Sequence, residues 1–116
     1  MERIIKTNYN SGERQHELRL DESGRLHGTS RSWYRNGCMM SEYNHKHGQL
    51  HGSQRKWYEN GLLAEEAEFR CGIPHGIARE WNETGQLIQE LEYRNGRVVT
   101  PLTDETAEVY FKGRKI

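Results

Sequence analysis

Leu50-His51-Gly52-Ser53-Gln54-Arg55-Lys56-Trp57-Tyr58-Glu59-Asn60-Gly61-Leu62-Leu63-Ala64-Glu65-Glu66-Ala67-Glu68-Phe69-Arg70-Cys71-Gly72 is one period of a repeat. Shifted by 24 residues in either direction, the chain meets itself again in seven columns. These are Gly28, Gly52 and Gly76; Trp33, Trp57 and Trp81; Gly37, Gly61 and Gly85; Gly48, Gly72 and Gly96; His27, His51 and His75; Arg31, Arg55 and Arg79; and Glu42, Glu66 and Glu90. A degenerate copy leads the array, with Tyr9, Gly12 and Glu17 matching Tyr34, Gly37 and Glu42 at a shift of 25. The pattern stops after Gly96, at Val98-Val99-Thr100-Pro101. A period of this length marks a stacked architecture in which each unit buries its apolar atoms only against its neighbours.

Each period holds two strand-like runs separated by turn chemistry. Asn36-Gly37 and Asn60-Gly61 have the composition of a two-residue type I′ hairpin turn, which needs φ > 0 at both positions. Ser11-Gly12 and Thr84-Gly85 occupy the same place. A two-residue turn sets the cross-strand register. It places Arg31 opposite Glu42, Arg55 opposite Glu66, Arg79 opposite Glu90 and Lys6 opposite Glu17. Gly52 then faces Phe69, Gly76 faces Tyr93 and Gly28 faces His45, so a ring can cover each glycine. Trp33, Trp57 and Trp81 face Met40, Ala64 and Ile88. Opposite charges directly across a strand pair contribute roughly 0.2–1 kcal/mol each, and a slip of one residue would undo every pair.

Alternation along the strands gives two faces. One carries the Trp columns and the Arg–Glu pairs. The other carries Tyr34, Met39, Tyr43, Tyr58, Leu63, Phe69, Leu87, Leu91 and Tyr93, is more apolar, and is expected to be the better buried. Strands are expected near 2–9, 14–21, 26–34, 38–45, 50–58, 62–70, 74–82 and 86–94. Residues 1–100 form the repeat array. Residues 101–116 form a tail, in which Thr103-Asp104-Glu105-Thr106 has the character of a helix start and residues 103–112 are expected to make a short capping helix. The predicted class is all-β, a tandem antiparallel β-hairpin sheet with that helix at its C-terminal end.

Composition supports a thin sheet over a thick core. Only 33% of the residues are hydrophobic and the mean hydropathy is −1.07. Low hydrophobicity also marks disorder. Against disorder, the 17 basic and 17 acidic residues cancel, and the aromatic residues recur periodically. Zero net charge offers no electrostatic footprint for nucleic acid or anionic lipid. No apolar run approaches the roughly 18–20 residues of a membrane-spanning helix. Met1-Glu2-Arg3-Ile4-Ile5-Lys6 has no leader-like apolar stretch. Cys38 and Cys71 fall at opposite ends of long strands, too far apart for a disulfide, so free thiols and a cytoplasmic location are expected.

The motif Leu50-His51-Gly52, four residues, Trp57-Tyr58-Glu59-Asn60-Gly61, four residues, Glu66, five residues, Gly72 resembles the MORN repeat, in the variant found in bacterial proteins often labelled antitoxin-like. The resemblance covers roughly residues 9–100. It implies a twisted antiparallel sheet of stacked hairpins, and a role in protein–protein association or, in some members, lipid contact. The chain departs from the pattern in its first copy, in its tail, and at Asn82, where the other copies have Tyr34 and Tyr58.

No catalytic constellation is legible. His27, His51 and His75 recur two strands apart, about 9–10 Å at the usual strand spacing, too far to share a zinc ion with bonds near 2 Å. His45, His47 and His51 gather around a turn, where a solvated or packing role outweighs a metal. Cys38 and Cys71 lack a CxxC spacing. Ser32 and Ser41 face each other across a strand pair, and the glycines belong to turns and strands rather than to a phosphate loop. The expectation is a protein that is not an enzyme, has no cofactor, and binds a protein partner: a toxin, an effector or a host enzyme. Nucleic acid is not expected as a partner and a membrane is disfavoured, while a homodimer stays open. The candidate contact residues are those that break the repeat: Tyr43, His45, Lys46 and His47, with Tyr110 and Phe111 of the tail. An antitoxin, immunity protein or other inhibitor fits; a self-associating scaffold and a peripheral lipid binder are the alternatives.

Overall fold

A computed structural model describes residues 2–99. They form one antiparallel sheet: β1 (Arg3–Asn8), β2 (Arg14–Leu20), β3 (Gly28–Trp33), β4 (Met39–Lys46), β5 (Gln49–Trp57), β6 (Leu63–Arg70), β7 (Ile73–Pro74), β8 (Gly76–Trp81), β9 (Leu87–Arg94) and β10 (Arg97–Val98). Strands neighbour one another in chain order, except that the short β7 lies beside β6 on the same edge as β8. The expected run 74–82 is therefore split in two, and β10 is an addition. The predicted helix over 103–112 lies outside the described residues. Extents of 50 × 33 × 17 Å describe a plate one sheet thick.

The hairpin register agrees with expectation through most of each strand pair. Arg31 pairs with Glu42, Arg55 with Glu66, Arg79 with Glu90 and Lys6 with Glu17; Gly28, Gly52 and Gly76 lie opposite His45, Phe69 and Tyr93. The turns that set this register are not the expected ones. In the second hairpin the Gly37 N–H donates to the Tyr34 carbonyl and the Tyr34 N–H to the Cys38 carbonyl. Of Asn36 and Gly37, only Gly37 has a positive φ, at 91°. Three residues, Arg35-Asn36-Gly37, thus form the loop, and Asn36 uses its side chain to accept the Cys38 N–H at 2.9 Å. Tyr9, Tyr58 and Asn82 open the same loop in the other hairpins.

A three-residue loop shifts the pairing by one, and a bulge shifts it back. Trp33, Trp57 and Trp81 pair with Met39, Leu63 and Leu87, not with Met40, Ala64 and Ile88; the register then slips by one before Ser32, Lys56 and Glu80. An extra residue on one strand is what a β-bulge inserts. The two shifts cancel, which is why the Arg–Glu pairs agree with a register derived from the wrong turn. Paired residues share a face, so Met39, Leu63 and Leu87 belong with the tryptophans rather than with the opposite face. Type I′ geometry does occur, at the other end of the hairpins. Lys46 pairs with Gln49, Arg70 with Ile73 and Arg94 with Arg97, each across two residues of positive φ: His47-Gly48, Cys71-Gly72 and Asn95-Gly96.

Stacking of hairpins is done by side chains reaching one repeat ahead. The hydroxyls of Tyr9, Tyr34 and Tyr58 donate to the carbonyls of Trp33, Trp57 and Trp81 at 2.6, 2.8 and 2.7 Å. Asn36 and Asn60 donate to the carbonyls of Glu59 and Glu83, each at 2.9 Å. Asn82 ends the tyrosine ladder. No tryptophan stands 24 residues beyond Trp81, and the Asn82 side chain instead accepts the Thr84 and Gln86 N–H groups of its own turn.

The charged columns join across hairpins as well as within them. Glu17 pairs with Arg31, Glu42 with Arg55 and Glu66 with Arg79. One row therefore runs Lys6, Glu17, Arg31, Glu42, Arg55, Glu66, Arg79, Glu90 in strict alternation of sign. Lys6 stands opposite Glu17 without forming an ion pair, because Glu17 is held by Arg14 at 3.0 Å and Arg19 at 3.5 Å.

Candidate functional site

The face opposite the charged row is the better buried. Ser30, Ser32, Ser41, Gln54 and Leu91 are all at or below 9% exposure, so Leu91 is buried as expected, but beside it the face buries small or polar residues, while Tyr34, Tyr43, Tyr58, Phe69 and Tyr93 are only half-buried. Ser32 and Ser41, opposite one another, share a hydrogen bond of 2.5 Å. Gln54 has a particular task. Between Tyr43 and His45 the β4–β5 register slips, and the Gln54 carboxamide fills the gap. It accepts the Asn44 N–H at 2.8 Å and donates to the Asn44 carbonyl at 2.9 Å.

Around Gln54 this face opens into a groove of about 500 Å³, lined chiefly by Tyr43, His45, Leu50, Gln54, Ala67 and Phe69. Its wall is mostly apolar. Lys56 and Glu65, which pair across β5 and β6, stand exposed at the rim. The His45 Nδ1 is buried and has no hydrogen-bond partner among the described residues. Burial pushes the His45 imidazole below its usual range, favouring the neutral ring.

Two of the sequence-derived contact residues, Tyr43 and His45, meet in this groove. Lys46 and His47 do not: Lys46 is exposed at the end of β4, and His47 lies in the following turn. Tyr110 and Phe111 lie outside the described residues. Leu50, Gln54, Ala67 and Phe69 were missed. Gln54 had a readable signal, since it stands in the column of Ser30 and Ala78 and matches neither.

His45, His47 and His51 do not form a cluster. The partner of His47 is His27, with ring centroids 4.4 Å apart, and Asp21 joins them. Ligand atoms of Asp21, His27 and His47 lie within 4.8 Å of one another, and both Asp21 oxygens and the Nδ1 atoms of the two rings are already hydrogen-bonded. Asp21 Oδ1 accepts the Ser23 and Arg25 N–H groups, and Oδ2 accepts from Arg25 Nε at 3.1 Å and His47 Nδ1 at 2.8 Å. These donors, His47 first, hold the carboxyl well below the usual carboxylate range. His27 Nδ1 accepts the His47 N–H at 3.1 Å, which leaves the proton of its neutral ring on Nε2. His51 accepts the Cys71 N–H in the same way. His27 and His51 thus support the backbone of the tight turns, where His47 and Cys71 hold φ of 47° and 50°, whereas the buried His75 Nδ1 has no partner among the described residues.

Comparison with known proteins settles the family. The model of a MORN repeat variant matches residues 26–47, 50–70 and 74–95, more than half of the chain. The chain belongs to the MORN repeat variant family. The matched MORN repeats coincide with the second, third and fourth hairpins, and the degenerate leading hairpin falls outside them. MORN repeats are non-catalytic modules found where proteins or membranes are bound. No curated protein and no solved structure matches the chain significantly.

Proposed function

We propose that this protein acts by occupying a partner protein, which inserts an apolar side chain into the groove of Tyr43, Leu50, Gln54, Ala67 and Phe69. The observation that carries this reading is the groove itself, about 500 Å³ of mostly apolar concavity on the face that varies from hairpin to hairpin. Aromatic anchors around a pocket are the usual carriers of binding energy. Lys56 and Glu65 at the rim offer one charge of each sign, suited to a polypeptide rather than to an anionic lipid surface.

An antitoxin, an immunity protein or another inhibitor is the form of partner binding we favour. Support comes from the zero net charge and the non-catalytic repeat. Cytoplasmic residence is proposed with it, since Cys38 and Cys71 are free thiols. The test is to identify the protein retained from an extract of the source cells, then titrate it against variants. Tyr43→Ala and Phe69→Ala each weaken binding by roughly thirtyfold, the effect of losing about 2 kcal/mol, measured on variants that melting curves show to be folded. Phe111→Ala measures whether the tail contributes. Unchanged affinity in both groove variants refutes the reading.

A further inference from the structure

The alternating row of charge ends on opposite signs at the two edges of the sheet. Glu42 holds Arg31 of its own hairpin at 3.0 Å and Arg55 of the next at 3.7 Å, the second contact through Oε1. Glu66 does the same with Arg55 at 2.9 Å and Arg79 at 3.6 Å. Glu90 holds Arg79 at 2.6 Å through Oε2. Its Oε1, which in the other two meets the next hairpin's arginine, has no cation among the described residues. The Glu90 side chain is accordingly 43% exposed, against 21% and 26% for Glu42 and Glu66. At the other edge Lys6 occupies the column of Arg31 and makes no ion pair among the described residues.

Among the described residues both edges are open. All six residues of β1 are exposed. β10 pairs with β9 only at Arg94 and Tyr93, and the Val99 N–H takes the Glu92 carbonyl, which leaves residues 87–91 of β9 uncovered by β10. Ile4, Ile5, Leu87 and Ile88 are four of the seven exposed large hydrophobic residues among those described, and they sit on these two strands. An uncovered strand edge is a template for another strand.

We propose that a second copy of this chain is the occupant: β1 of one copy pairs antiparallel with the 87–91 stretch of β9 in another, with Lys6 opposite Glu90. That register repeats the relation of Glu42 to Arg55 and of Glu66 to Arg79. It sets Ile5 opposite Leu91 and Thr7 opposite Gln89, and no like charges meet between residues 5 and 7. The contact is head-to-tail, so it extends into a chain of copies. The groove lies on β4, β5 and β6, away from both edges, and its occupancy and this association fail or succeed separately.

The experiment is light scattering on the full chain from micromolar to millimolar concentration, for wild type, Lys6→Glu, Glu90→Lys and an equimolar mixture of the two variants. Average mass rises with wild-type concentration. Each reversal alone weakens association roughly two- to thirtyfold, because an opposite-charge pair becomes a like-charge pair. The mixture regains wild-type association, since every junction in an alternating chain again joins Lys to Glu. Melting curves accompany each variant. Lys6→Glu sets a second acid opposite Glu17 on the exposed β1, a modest loss of stability that its melting curve reads, and association of the folded variant keeps the proposal falsifiable. A wild type that stays monomeric, a Lys6→Glu variant that associates like wild type, or a mixture no better than its folded components overturns it.

Discussion

Arg31, Arg55 and Arg79 recur unchanged along one face of the sheet, while the residues one position earlier, on the other face, are Ser30, Gln54 and Ala78. The first face is a repeated solution to stacking. Each arginine meets a glutamate on either side, and the ladder needs the same residue in every period. Apart from the tyrosines at the loop ends, whose hydroxyls reach the next hairpin, the second face has no such demand, and there the hairpins differ. Gln54 bridges a slipped register, Tyr43 and Phe69 wall a groove, and Leu91 is buried to 2% exposure. Residues that build the array are thus separated, by strand alternation, from residues that distinguish one hairpin from the next.

The largest stability loss is expected on the irregular face, from Gln54→Ala. Gln54 is 5% exposed and satisfies both polar groups of Asn44. Its removal leaves a buried N–H and carbonyl without partners, a cost of about 2 kcal/mol, visible in a denaturant titration. An unchanged midpoint means the register slip at β4–β5 needs no repair.

Next comes the loop of the third hairpin. Gly61 holds φ of 91°, where a β-branched residue is strained. Gly61→Val costs about 1–2 kcal/mol, although nothing lies within 4 Å of an added Cβ. Glu59→Ala changes stability by less than about 0.5 kcal/mol, because only the Glu59 carbonyl is used. Equal thermal melts for the two would remove the argument from φ.

Smaller still is Arg79→Ala on the regular face. Arg79 joins Glu66 and Glu90 but is 37% exposed, and exposed pairs contribute up to about 1 kcal/mol. The loss shrinks as salt is added. A salt-independent loss would point to packing of the arginine stem.

The smallest effect is the pH dependence of His45. Burial lowers its pKa in the folded chain, so the unfolded chain takes up the proton first. The stability this group supports is complete above about 6.5 and declines as pH falls toward the lowered folded value. His45→Asn flattens the profile between pH values of about 7 and 5. An identical slope in both proteins would assign the dependence to another group.

The regular face was legible because it repeats. The Arg–Glu register, the strand spans and the glycine columns follow from identities 24 residues apart. The loop type was not legible, since Asn-Gly serves both a two-residue turn and the last two positions of a three-residue loop. Here the Asn36 and Asn60 side chains are engaged with the neighbouring hairpin and with their own loops, and that three-dimensional demand selects the longer form. Trp33 therefore meets Met39. A third of the groove's chief lining was legible: Tyr43 and His45 break the pattern visibly. Leu50 and Phe69 look like ordinary strand residues, and only the stacking of β5 on β4 and β6 brings them beside Tyr43. His47 broke the pattern too, but for a local reason, its bond to Asp21.

The separation of faces is tested most directly by partner affinity measured side by side for Tyr43→Ala and Arg79→Ala. The identified partner is titrated against each purified, folded variant in the same buffer. We predict a loss of roughly thirtyfold for Tyr43→Ala and no change for Arg79→Ala. The reverse order, with Arg79→Ala losing the partner and Tyr43→Ala retaining it, would place the interface on the repeating face and contradict the account.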